Sequence, residues 1–178
     1  MIVLLALGTK VYGQEMEEDL FDFKPAIDGE AHWISDRIVE FTPAETLPSG
    51  KLFEVDFALG DLIDVPNKLE VLTFQFQTME QHITVNFGGL EAYDKKNLEW
   101  QKLKGELNTA DFAFDENVEK TLTATQSGNK VRLKWEHSAN GRNHNFVIDS
   151  IQRGKSTSQV VLEWDGEPIG SVSNSSES

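Results

Sequence analysis

The chain has 178 residues and a formal net charge of −14 from 30 acidic and 16 basic side chains. That balance argues against nucleic acid and anionic membrane surfaces, because both need clustered Lys and Arg. No cysteine is present, which excludes disulfides, thiolate metal sites and a cysteine nucleophile, while 39% hydrophobic residues suffice for the cores of two β-rich units.

The opening run Ile2–Leu7 is apolar but too short to cross a membrane. It lacks the positively charged lead of a signal peptide, so a first β-strand is expected there, with a truncated signal peptide as the alternative. Five of the eight residues from Glu15 to Asp22 are acidic, which reads as a solvated connection. A calcium loop would need a glycine and a terminal bidentate Glu at loop spacing, and neither is present.

Beyond this point, apolar and polar residues alternate in short runs separated by Pro, Gly and Asp, the pattern of half-buried strands joined by tight turns. Asp28-Gly29 is a turn, followed by a short strand over His32–Ile34 and a turn at Ser35–Arg37. Val39 and Phe41 share a core face, and Pro43, which has no amide hydrogen, ends the pairing. After the Leu47–Gly50 turn, Leu52–Leu59 sets Phe53, Val55 and Phe57 on one face, with Glu54 and Asp56 on the wet side. Asp61–Pro66 is a loop, and Leu69–Thr78 closes the unit with Leu72, Phe74 and Phe76 inward.

In the second half Ile83, Val85 and Phe87 share a face before Gly88-Gly89. Val131, Leu133 and Trp135 share another before Asn140-Gly141, a hairpin signal, and Phe146 and Ile148 pair across it. Val160, Leu162 and Trp164 form a late strand. One segment dissents: Asp115–Leu122, with Asp115 as a possible N-cap and Val118 and Leu122 four apart, predicts one or two helical turns. The polar tail 171–178 is expected to be disordered.

Phe23, Pro25, Gly29, Trp33, Val39–Pro43, Leu47, Gly50, Phe53–Val55, Asp64 and Phe74–Thr78 together resemble the bacterial Ig-like domain first described in S-layer proteins. Position 53 departs, with Phe where that family has Tyr. Adding Ile83–Asp94, Leu103–Leu107, Val118–Leu122, Val131–Trp135 and Val160–Gly166, nearly the whole chain is similar to the N-terminal region of bacterial alpha-2-macroglobulins. The resemblance implies an all-β fold of two tandem antiparallel Ig-like β-sandwich domains, residues 1–79 and 80–170, the second of macroglobulin type. Their joint near Thr78–Gln81 has almost no linker.

It further implies a non-catalytic scaffold in a protease-trapping protein of the bacterial cell envelope, periplasmic or surface-exposed, in a longer, lipid-anchored chain. Its partners would be neighbouring domains and, through the whole protein, proteases; nucleic acid and direct membrane insertion are not expected. The family's reactive Cys-x-Glu-Gln thioester is absent from these residues. No catalytic residue, cofactor or metal ligand is assigned. A cell-surface adhesin or carbohydrate-binding β-sandwich is the alternative.

Three constellations test that assignment. His137 and His144 flank Asn140-Gly141 with Glu136 nearby, which invites zinc, but a third ligand is unspecified, so both read as surface hairpin histidines. His32 and His82 are isolated, and no nucleophile motif or phosphate loop is present. Trp33, Trp135 and Trp164 sit on predicted strand faces or at a family core position, which packing explains; Trp100 is left open as a sugar-stacking ring.

Overall fold

The computed structural model describes residues 2–5, 20–35, 37–154, 157–172 and 174–177. Among them are fifteen strands and one α-helix, so the fold is mostly β. The chain divides into two compact units, Met1–Thr78 and Met79–Ser178. No helix among the described residues is long and apolar enough to cross a membrane.

Unit 1 holds two three-stranded antiparallel sheets. In one, β4 (Ile38–Pro43) lies between β1 (Ile2–Leu5) and β3 (Gly29–Ser35); in the other, β5 (Leu52–Phe57) lies between β2 (Phe21–Lys24) and β6 (Leu72–Gln77). The apolar opening is thus a strand, with Ile2 opposite Phe41 and Leu5 opposite Ile38. Ala6 and Leu7 of the expected strand, and residues 15–19 of the acidic connection, lie outside the described residues.

Side chains alternate across a strand, so each sheet turns one row of residues inward. Val39 and Phe41 from β4, Val55 and Phe57 from β5, Phe21 and Phe23 from β2 and Trp33 from β3 meet in one buried cluster, with Leu72, Phe74 and Phe76 of β6 packed against it. Glu54 and Asp56 face outward as expected. The rings touch: Phe23 and Phe41 have centroids 4.5 Å apart, and Phe21 and Phe57 5.0 Å.

Several boundaries differ from the sequence reading. Gly29 starts β3 rather than completing a turn, because its bare Cα lies against the Phe41 ring and the Thr42 carbonyl, where a Cβ would overlap both. Leu59–Asp61 and Asn67–Leu69 are single 3₁₀ turns, so β5 stops at Phe57 and β6 begins at Leu72.

Unit 2 has a larger pair of sheets. β9 (Asn97–Thr109) runs between β13 (Asn143–Gln152) and β7 (Ile83–Phe87); β12 (Leu133–His137) joins on β13, and β8 (Glu91–Asp94) pairs the start of β9. The second sheet has the order β11 (Asn129–Val131), β10 (Leu122–Gln126), β14 (Val160–Asp165), β15 (Asn174–Glu177). The core between them is largely aliphatic, with Leu103, Leu107, Val118, Leu122, Ile148, Ile151 and Leu162 around Phe146. Ile148 and Ile151 are both buried although three apart, since the β13–β9 register shifts between them and the extra residue flips the side-chain phase.

Three expectations for this unit need correction. Residues 131–135 are not one strand: Val131 pairs with Ala124 in one sheet, Leu133 with Ile148 in the other, and the chain changes sheets at Arg132. The helix α1 (Asp115–Thr121) is capped by Phe114, which makes no side-chain cap bond, so Asp115 is inside the first turn and is not the N-cap. The tail is not wholly disordered, since Asn174–Glu177 pairs along β14 from Asp165 to Leu162 and Ser171 is buried. Backbone pairing at a sheet edge needs no apolar side chains, which is why a polar segment can form it.

Candidate functional site

The β12–β13 hairpin and α1 bring four ionisable side chains together. Ser138 N–H donates to the Asn143 carbonyl, and the Asn140 side-chain oxygen accepts from the amides of Arg142 and Asn143. Gly141 takes a φ of +61° that glycine adopts without strain. This loop sets the register that places His137 directly opposite His144. On α1, Asp115 and Glu119 are four residues apart and share one face.

The two rings meet with Nδ1 atoms 2.8 Å apart, centroids 5.0 Å apart and planes at 67°. His137 Nε2 lies 3.3 Å from Glu119 Oε1, and its Nδ1 lies 3.6 Å from Asp115 Oδ1. His137 stacks on Trp135 at 5.7 Å. The sequence reading put both histidines on the surface, yet His144 is fully buried and its Nε2 has no hydrogen-bond partner. It is buried because β13 turns His144, Phe146 and Ile148 to the same face. Glu136 faces the other side of its strand, so the carboxylates at the cluster come from α1 instead.

Hydrogen-bond logic assigns the protons. The Glu119 carboxylate can only accept, so His137 carries its hydrogen on Nε2, and its bare Nδ1 accepts from His144 Nδ1–H. His144 Nε2 is then a lone pair without a donor. Burial first, and then repulsion from His137 whenever that ring is also protonated, push the His144 pKa below the ordinary imidazole value, against the opposing pull of Asp115 and the Gly141 carbonyl. Among the described residues, Asp115, His137 and His144 are the one group of three or more such side chains placed to hold a single ion.

The other residues considered from sequence do not converge. His32 pairs with Glu40 at 3.4 Å and His82 with Glu80 at 3.9 Å, in different units. Trp33 is buried, and Trp135 and Trp164 pack against the unit 2 core. Trp100 is 40% exposed. Sequence reasoning missed Asp115 and Glu119 as partners of the histidines, although their spacing of four on a predicted helical turn was the available signal.

Comparison with known proteins finds no family model that matches the chain and no curated relative.

Proposed function

We propose that the chain is a non-catalytic scaffold of two Ig-like β-sandwich domains, the second of macroglobulin type. In this reading it forms the N-terminal segment of an alpha-2-macroglobulin-like envelope protein that captures proteases. The supporting observation is that each unit folds around its own core between antiparallel sheets, and that Trp33, Val39, Phe41, Phe53 and Val55, which carry the resemblance, are all buried. Such units space and orient other domains through their surfaces. The test is the coding sequence beyond Ser178 together with protease capture by its full product. A downstream Cys-x-Glu-Gln motif and covalent capture are expected; a glycosidase domain or a wall anchor in its place overturns the reading.

One observation favours a second reading, a carbohydrate-binding or adhesin module. Trp100 and Tyr93, 40% and 58% exposed, lie on the paired strands β9 and β8, and exposed rings can stack on sugars. Glycan binding that is lost in Trp100→Ala would establish it.

A further inference from the structure

We propose that Asp115, His137 and His144 form a binding site for a divalent transition-metal ion of zinc type, oriented from outside by Glu119. Two imidazoles and a carboxylate are a usual zinc donor set, leaving the fourth position to water. Tetrahedral bonds of about 2.0–2.1 Å hold ligand atoms roughly 3.3 Å apart. The separations here, 2.8 Å between the imidazole nitrogens and 3.6 Å to the Asp115 oxygen, bracket that value. The rings therefore need to part by about 0.5 Å for an ion to enter, and Asp115 to close on both, since the three ligand atoms lie within 4.8 Å of one another.

Two further features point the same way. His137 presents Nδ1 to the cluster while Nε2–H donates to Glu119, the carboxylate–histidine arrangement that fixes ring orientation and raises ligand basicity. His144 Nε2, buried and without a hydrogen-bond partner, is open to take up the proton that an ion at Nδ1 displaces. When the ion binds His144 Nδ1, the proton there moves to Nε2, so the ring stays neutral. The site carries one negative charge, from Asp115, against the two positive charges of the ion. The ion would tie α1 to the β12–β13 hairpin. Unit 2 has an aliphatic core of its own, so the ion is expected to add to stability rather than to be required for folding.

The full chain, freed of metal with a chelator, is titrated with Zn²⁺ and with Co²⁺ as a spectroscopic probe. One ion per chain, a raised melting temperature reversed by chelator and cobalt absorption of tetrahedral intensity are expected. Nitrogen NMR should show His144 exchanging its Nδ1–H tautomer for Nε2–H. Asp115 and Glu119 are exposed, with side-chain accessibilities of 61% and 52%, so variants there keep the fold. Asp115→Asn should weaken binding at least about tenfold, and Glu119→Gln about 10- to 100-fold. Glu116→Gln on the same helix should change nothing. Binding unaltered in Asp115→Asn, binding removed instead by His32→Ala or His82→Ala, or no binding at sub-millimolar zinc would each overturn the site.

Discussion

Unit 1 packs Phe21, Phe23, Trp33, Phe41 and Phe57 into one cluster of rings, whereas unit 2 fills its centre with Leu, Ile and Val and admits His144, Thr121, Gln81 and Thr109 to buried positions. Burial of apolar area is non-directional, so unit 1 is held largely by area and shape. Buried polar groups must find partners, and in unit 2 they fix where connections run. Gln81 shows this: its oxygen accepts from the Asp111 amide at 2.9 Å while its nitrogen donates to the Asp111 carbonyl at 3.1 Å. One side chain thus pins the loop that leads into α1.

The largest effect should come from the aromatic cluster. Trp33→Ala and Phe41→Ala should each destabilise unit 1 by about 3–5 kcal/mol, the usual loss for a truncated buried aromatic. Denaturant midpoints, with amide exchange accelerating across residues 21–77, would check it.

The matching fault in unit 2 is a side chain too many. Gly105 stands opposite Phe146, and a Cβ there would overlap the ring. Gly105→Ala should destabilise unit 2 by about 1–3 kcal/mol, the cost of overpacking. That outweighs the gain of about 0.5–1 kcal/mol that alanine normally brings to a strand interior. Adding Phe146→Leu should recover part of the loss in a double-mutant cycle, which non-coupled positions would not do.

A smaller loss, about 1–2 kcal/mol, is expected for Gln81→Met, which keeps the length and removes the bonds to Asp111. Faster amide exchange at Asp111 would distinguish a freed loop from a loosened core.

The smallest effect lies on the wet face of unit 1. Asp56 accepts from Lys24 Nζ at 2.7 Å and from the Thr73 hydroxyl, and these bonds, Lys24 first, hold its carboxyl below the ordinary range. A carboxyl lowered on folding stabilises the protein above its unfolded pKa, and that contribution disappears as pH falls through the folded value. Carbon NMR titration should place Asp56 lowest in the wild type, higher in Thr73→Val and highest in Lys24→Met. The same order in melting temperature should vanish in strong acid.

The sequence made unit 1 more legible than unit 2, and the residues explain why. Strict alternation in Ile38–Pro43 and Leu52–Phe57 has one reading, since a period of two can put only one row inside. Ile148 and Ile151 break that period through a bulge, which leaves no residue signature of its own. Asn140-Gly141 was the obvious turn, yet it sits in a wider loop. A tight two-residue turn lies instead at Ser127-Gly128, where both residues have positive φ, 51° and 80°, between Gln126 and Asn129. Ser-Gly is a weaker hairpin signal than Asn-Gly, so the better connection was overlooked. The site was half legible. His137 and His144 follow from hairpin register, but the carboxylates arrive from α1, a long-range contact that spacing along one strand cannot disclose.

The length of β9 has a consequence for how unit 2 is made. Its first partners, β7 and β8, precede it and can close onto one edge as local hairpins. The opposite edge, from Trp100 to Asn108, stays open until Asn143–Gln152 has left the ribosome. For that interval a growing chain displays an unpaired, partly apolar strand edge, the kind of template on which neighbouring nascent chains join. Slow translation through residues 110–142 would prolong that exposure, and fast translation would shorten it.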